Sequence, residues 1–238
     1  MFQAYKGRRA FEYIAEQIRQ AILSEQLNTG DRLPSERDLA EQFQVGRVTI
    51  REAMRMLETM GLVEIRKGSA GGAFVRIGDP DTMASMIMDR LQLEGTNHEQ
   101  MIEARVGIEC AVIKSAIEHA TDEDLAVIKQ DVQESKEIIG SSHSEKVVAK
   151  MISFHVLVAE ASHNIPYIMF VRSMMEWASR KLTEWAPSEE EQKYSYTSHK
   201  EIFEAMVRRD AVLAERLMRE HIEEMGVMLS KFAKRKVS

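Results

Sequence analysis

The sequence predicts a mostly α-helical protein of two domains, in which three helices and a β-hairpin precede an all-helical bundle. Apolar residues recur every three or four positions over most of the 238 residues, which is the spacing of one helix face. Residues 62–76 instead form two short apolar runs around a glycine-rich tip, which predicts a hairpin. Because residues 78–81 (Gly-Asp-Pro-Asp) break the pattern, we place the first domain at 1–77, a linker at 78–82 and the helical domain at 83–238.

The first two helices are predicted from an apolar stripe and a capping pattern. Residues 28–31 (Asn-Thr-Gly-Asp) end the first helix. Ser35 can cap the second helix, because Asp38 follows three residues later. The stripe of the first helix consists of Phe11, Ile14, Ala15, Ile18 and Ile22.

A third helix and a hairpin complete the first domain. After a tight turn at 45–46, the third helix is predicted over 47–60, and Gly61 ends it. Two strands then flank the tip at 67–72. Three helices followed by a β-hairpin wing are typical of a winged helix-turn-helix.

The third helix carries arginines suited to reading DNA. Arg47, Arg51 and Arg55 share one face, opposite the apolar face. Single arginines on a helix face are usually solvated charge, but in this position a guanidinium can bind guanine O6 and N7 together. We also expect contacts from three other residues, which are Arg37 at the start of the second helix, Thr49 and the wing residue Lys67.

The distribution of charge agrees with a nucleic-acid partner for the first domain. The net charge is −6, but residues 1–77 hold 12 basic and 10 acidic side chains, whereas residues 78–238 hold 20 and 28. No run approaches the roughly 20 apolar residues of a membrane span, and the first residues lack the apolar core of a secretory signal. With Cys110 the only cysteine, we expect a cytoplasmic protein without membrane association.

The motifs of the first domain resemble those of the GntR family of bacterial regulators. These motifs are Leu-Pro-Ser-Glu-Arg-Asp-Leu-Ala at 33–40, Val-Gly-Arg-Val-Thr-Ile-Arg-Glu-Ala at 45–53 and the Leu57-Glu58 and Gly61-Leu62-Val63 segments. The resemblance implies that Arg37, Arg47, Thr49 and Arg51 contact double-stranded operator DNA, and that the chain is a homodimeric repressor. Family members usually have Ser or Thr where this chain has Gly46, so one hydroxyl contact to DNA is absent.

The second domain places polar residues where apolar ones belong. We predict helices near 82–94, 98–119, 122–139, 144–161, 165–185, 189–208 and 210–232. On the second of these, Arg105 and Glu109 point inward, where a charge needs a partner or a ligand. Three histidines also lie on the apolar stripes of three different helices: His155, His199 and His221. By periodicity alone, hydrogen-bonded core histidines and a shared metal ion are equally good interpretations.

A second resemblance favours the metal. Residues 99–225 are similar to the FCD ligand-binding domain of the FadR subfamily, on the motifs Glu-Ala-Arg-x-x-x-Glu (103–109), Phe-His (154–155), Ala-Ser-His-Asn (161–164), His-x-x-Ile (199–202), Arg-Asp-x-x-x-Ala (209–214) and Met-x-x-His (218–221). The resemblance implies a divalent ion held by His155, His199 and His221. Met151 occupies the position of the family's aspartate ligand, and a thioether is a poor ligand for zinc, manganese or nickel. Three histidines still suit zinc best, and loss of the metal is the competing interpretation.

The same resemblance implies a small carboxylate effector. We expect Arg105 to bind the acid, with Glu109 and Asn164 at the same site, although an ion pair between Arg105 and Glu109 is an equally simple role. The predicted function is a transcription regulator whose operator affinity the effector controls. A metal-responsive regulator and a metal-independent sensor of acyl-CoA type are the alternatives. An enzyme is disfavoured, because the sequence has no nucleophile motif and no phosphate-binding glycine loop.

Overall fold

The computed structural model describes residues 9–68, 71–76, 78, 80–141 and 144–237. The chain divides into two compact units, Met1–Asp79 and Pro80–Ser238. In the described part of the chain, every element except one hairpin is helical, which confirms the predicted fold class. No described helix is both long enough and apolar enough to cross a membrane.

The first unit has the predicted order of elements. Helices α1 (Ala10–Leu23), α2 (Glu36–Phe43) and α3 (Arg47–Thr59) precede strands β1 (Val63–Arg66) and β2 (Gly72–Val75). The strands pair antiparallel, with Val63 opposite Val75 and Arg66 opposite Gly72. The core beneath them is formed by the apolar faces of the three helices, chiefly Ile14, Ile18, Leu39, Ile50, Ala53 and Leu57.

The second unit consists of seven helices. These are α4 (Pro80–Leu93), α5 (His98–His119), α6 (Asp122–Glu137), α7 (Ser144–Glu160), α8 (Ile165–Trp185), α9 (Glu189–Val207) and α10 (Ala211–Val237). Helix α4 begins at Pro80, inside the predicted linker, because proline is well tolerated in the first turn of a helix. Helix α10 continues five residues beyond its predicted end at residue 232.

Capping side chains fix where several of these helices begin. Asn97, Thr121 and Ser188 each accept a hydrogen bond from a backbone N–H three residues later, and the residue at that third position bonds back in each case. The helices enclose one large apolar cluster around Phe154, Ile113 and other fully buried residues of α5, α7, α9 and α10. The three histidines predicted to face the interior lie within this bundle.

Candidate metal centre and nucleic-acid interface

Helix α3 presents the predicted arginines to solvent. Its buried face consists of Ile50, Ala53, Met54 and Leu57. Arg47 and Arg51 are exposed on the other side, and Thr49 is half-buried. Gly46 is the N-cap residue, and with no side chain it leaves the first turn without a side-chain hydrogen bond. The free backbone N–H groups of this turn are therefore available to an anion such as a phosphate.

Glu36 holds both arginines, a contact that the sequence analysis did not predict. Its Oε2 accepts a hydrogen bond from Arg51 Nε at 2.9 Å, and Arg47 Nη2 lies 3.4 Å from the same oxygen. Exposed ion pairs of this kind contribute little to stability. Glu36 therefore holds the two guanidinium groups side by side through contacts that cost little to break.

The wing also has a basic surface. Lys67 is exposed at its tip, and the Arg66 guanidinium lies 4.4 Å from the centre of the Phe74 ring. Arg32 donates a hydrogen bond from Nη2 to the carbonyl of Gly71 at 2.6 Å, which ties the tip to the segment before α2. Arg37 is exposed and lies 3.6 Å from Asp38. Arg32 contacts a residue that is distant in the sequence, so the residues next to it in the sequence do not indicate this contact.

Three buried imidazoles converge inside the second unit. His155 of α7, His199 of α9 and His221 of α10 are each at most 3% exposed. His221 Nε2 lies 3.2 Å from His199 Nε2 and 3.3 Å from His155 Nε2. Two imidazole nitrogens bound to one tetrahedral zinc ion at about 2.0–2.1 Å are about 3.3 Å apart. The spacing of the nitrogens therefore fits one shared ion, and it is the only such cluster of histidine, cysteine or carboxylate groups found among the described residues.

Hydrogen bonds orient two of these rings. His155 Nδ1 donates to the carboxylate of Glu109 at 2.5 Å, since an ionised carboxylate can only accept. His221 Nδ1 donates to Ser198 Oγ at 2.8 Å, because the one proton of the Ser198 hydroxyl is directed to the carbonyls of Tyr194 and Ser195, each 3.0 Å away. Both rings therefore direct an Nε2 lone pair toward the same point. At 3.3 Å the two Nε2 atoms are bridged either by a proton, as in a hydrogen bond between the rings, or by a shared metal ion.

Burial favours the neutral form of two of these rings, His199 and His221. It lowers the pKa of His199 and of His221 well below the usual value, and the neighbouring imidazoles and Arg105 lower both pKa values further. The Phe154 ring stacks on His199, with centroids 4.2 Å apart, and fixes that imidazole from one side. Neutral imidazoles with fixed orientation are the state in which histidine coordinates a metal.

Arg105 and Glu109 point inward, as predicted, and form the buried ion pair. Arg105 Nε donates to Glu109 Oε1 at 2.7 Å, and both side chains are less than 10% exposed. Burial alone would raise the pKa of Glu109, but Arg105 and His155 outweigh it and lower the pKa to about 2. Glu109 is therefore ionised, with Arg105 on one oxygen and His155 on the other, and it orients the His155 ring.

A cavity adjoins two of the three histidines, His155 and His221. Its polar lining consists of Arg105, His155, Ser195 and His221, and the other ten of its fourteen described lining residues are apolar. The cavity has room for two or three water molecules. The Met151 thioether also lines it, at the position where a family aspartate would stand.

Asn164 caps helix α8, and its predicted place at the effector site stays a prediction. It does not line the cavity, and its Oδ1 accepts a hydrogen bond from the backbone N–H of Tyr167 as the N-cap of α8. An asparagine before Ile-Pro is favoured at a helix start for this reason alone, so its place in the motif reflects capping.

Replacing Asn164 with alanine should therefore destabilise the protein without affecting a ligand. We expect a loss of roughly 0.5–2 kcal/mol in the free energy of unfolding, measured by urea denaturation. Asn97→Ala, at the cap of α5, is the matched control and should show a loss of similar size. A selective loss of ligand or metal binding in Asn164→Ala, with stability unchanged, would restore the original prediction.

Comparison with known proteins identifies both units. A family model described as bacterial regulatory proteins, gntR family, matches residues 11–75, and the FCD domain model matches residues 100–224. The chain belongs to the GntR family. It is a DNA-binding transcription regulator with an FCD domain, and since its relatives are regulators, the expectation that it is not an enzyme is confirmed.

Similar proteins extend over nearly the whole chain. The Uxu operon transcriptional regulator of Escherichia coli strain K12 is 28% identical, over 98% of this chain and 91% of that protein. The HTH-type transcriptional repressor NanR of Enterobacter sp. strain 638 is 30% identical, over 90% and 83%. The solved structure of a Streptococcus agalactiae GntR protein is 25% identical and superposes with a TM-score of 0.67, over 91% and 98%. This GntR regulator therefore shares both of its units with these relatives.

Proposed function

We propose that this GntR regulator is a repressor whose affinity for operator DNA is controlled by a small carboxylate bound beside a three-histidine metal centre. The observation that carries the proposal is the convergence of three buried Nε2 atoms next to a cavity that Arg105 also lines. A buried cation and a metal-binding cluster at one cavity form a site for an anion.

His155, His199 and His221 would hold the metal. Zinc suits three imidazole ligands best, and manganese or nickel is a weaker fit. When bound, the ion supplies a positive centre with open positions for an acid or for water. Glu109 and Ser198 fix two of the rings from behind, so that the ligand set exists before the ion arrives.

Arg105 would bind the carboxylate of the effector. Its Nε is taken by Glu109, but its terminal nitrogens make no hydrogen bond to any described residue. These nitrogens are the fork that grips a carboxylate.

The DNA-reading surface would consist of Arg37, Arg47, Thr49, Arg51 and the wing residue Lys67. A helix-turn-helix regulator usually binds two half-sites as a dimer, so we propose a homodimer that acts on the chromosome in the cytoplasm. The NanR relative is named as a repressor, which supports repression here. The effector would act by favouring one spacing of the two DNA-binding units.

Native mass spectrometry of the full-length protein tests this proposal. A dimer with one metal ion per chain is expected, and the His155→Ala, His199→Ala, His221→Ala triple variant should form a dimer without metal. An additional mass that leaves together with the metal would be a bound acid. A dimer that stays free of metal after addition of zinc, manganese and nickel would contradict the metal centre.

Met151→Asp should restore the fourth ligand. With a carboxylate added to three histidines, we expect zinc affinity to rise at least tenfold, measured by competition with a chelator. Without metal the same variant should be less stable than the wild type, because it buries a charge that lacks a partner. Met151→Asn adds an amide of similar size without the charge and is the control. Equal zinc affinity in all three proteins would show that residue 151 does not face the ion.

A regulator that responds to the metal itself is a second candidate. The preformed orientation of the rings by Glu109 and Ser198 favours it, since the site needs no organic ligand to assemble. Operator binding that switches with zinc alone, in dialysed protein free of acids, would support it over the carboxylate.

A further inference from the structure

The cavity beside the histidines has a polar end and a long apolar end. Arg105, His155 and His221 form the polar end. The apolar end is lined by residues of a separate hydrophobic cluster, and five of that cluster's seven buried residues face the cavity: Met151, Leu182, Trp185, Met225 and Leu229. Other apolar lining residues, among them Met175 and Ala178, belong to the large core around Phe154, so the cavity lies between the two clusters.

Helix α10 shows the direction of the cavity. His221, Met225 and Leu229 line it at intervals of four residues, and therefore on one helix face. A rise of 1.5 Å per residue places Met225 about 6 Å and Leu229 about 12 Å from His221 along the axis. On α8, Ala178, Leu182 and Trp185 form a second apolar wall at helical spacing. A molecule held at the polar end would thus extend along two apolar helix faces.

We propose that the effector is a monocarboxylic acid with an apolar body, such as a medium-chain alkyl or an aryl group, and not a polyhydroxylated acid. This inference rests on the proposed carboxylate site. Hydroxyl groups along the body would lie against methionine, leucine and tryptophan side chains and lose their hydrogen bonds to water. An alkyl or aryl body would gain from leaving water along the same path.

The lining can also make the space that such a body needs. Met151, Met175 and Met225 all face the cavity, and unbranched thioether side chains rearrange more readily than branched ones. In this arrangement the Met151 side chain forms part of the apolar wall. At this position a carboxylate would add a charge to the wall, whereas the thioether keeps the wall apolar and leaves the positive groups at the polar end free for the acid.

Isothermal titration calorimetry of the full-length zinc-treated protein tests the inference with four probes: butanoate, hexanoate, octanoate and gluconate. We expect the dissociation constant to fall about fourfold for each added methylene that enters the cavity. Gluconate should bind at least tenfold more weakly than hexanoate. Hexan-1-ol, which lacks the acid, should bind more weakly than hexanoate if the carboxylate anchors the molecule.

A pair of variants tests whether the apolar body of the acid lies in the cavity. Met225→Gln introduces an amide of similar size at the apolar end and should weaken octanoate at least tenfold while leaving butanoate unchanged. Met228→Gln, on the same helix but outside the lining, should leave both acids unchanged. Tight gluconate binding with no dependence on chain length would overturn the apolar class and leave the carboxylate site standing. Failure of every acid to bind would overturn both proposals.

Discussion

Replacing His221 with alanine should reduce zinc affinity by at least about 100-fold, because it removes the imidazole that lies between the other two. Loss of an outer hydrogen-bond partner alone typically reduces metal affinity 10- to 100-fold, and loss of a ligand should exceed that range. The measurement is competition with a chromogenic chelator on the full-length protein, with circular dichroism as the check on folding. His221→Gln keeps most of the side-chain volume, so it separates the loss of a ligand from a packing defect.

A surface histidine provides the matched control for this prediction. His163 is exposed, and its Nε2 lies 2.9 Å from the Asp124 carboxylate, whereas the three histidines of the candidate centre are buried. His163→Ala should therefore leave zinc affinity unchanged. If His221→Ala and His163→Ala behaved alike, the buried cluster would be a set of core histidines, the competing interpretation of the sequence.

Arg51→Ala should weaken operator binding by a factor of 5 to 150, the range that corresponds to about 1–3 kcal/mol for one bidentate contact to guanine. It should also relax the preference for one base pair in each half-site. Fluorescence anisotropy with the selected operator and with single-base variants measures both effects. Arg47→Ala should behave in the same way, because Glu36 holds the two arginines together.

The control for Arg51 is an arginine paired on another helix of the same unit. Arg19 of α1 forms an ion pair with Glu16 at 2.7 Å, and Arg19→Ala should leave base preference unchanged. Lys67→Ala should weaken binding to all sequences alike and reduce the slope of log affinity against log salt by about 0.9 if it contacts a phosphate. Unchanged affinity in both Arg51→Ala and Arg47→Ala would show that α3 is not the recognition helix.

Local patterns in the sequence were sufficient to predict most of the fold. The apolar periods predicted all seven helices of the second unit, and Ser35 marked a helix start that the structure confirms by its hydrogen bond. Such signals are readable because caps and stripes act over three or four residues. The start of α4 was placed two residues late, because Pro80 was interpreted as part of a linker.

The candidate site was predicted only in part, because its geometry depends on contacts between distant residues. Periodicity placed His155, His199 and His221 inward but could not show that their nitrogens meet. Glu109 was expected at the effector site. It accepts a hydrogen bond from His155, which is 46 positions away, so the sequence did not indicate that it orients this ring. The role of Ser198 was not predicted, because nothing in the sequence around a helical serine indicates that it accepts a hydrogen bond from His221.

The most direct test of the account is one titration of operator affinity with the full-length protein, performed metal-free, with zinc, and with zinc plus acetate, hexanoate or gluconate. We expect at least one acid to change the operator affinity of the zinc-loaded wild type at least fivefold, which is within the usual range of allosteric coupling. Neither Arg105→Gln nor the triple histidine variant should show that change. An operator affinity that no acid alters, or that the same acid alters equally in these variants, would contradict the account.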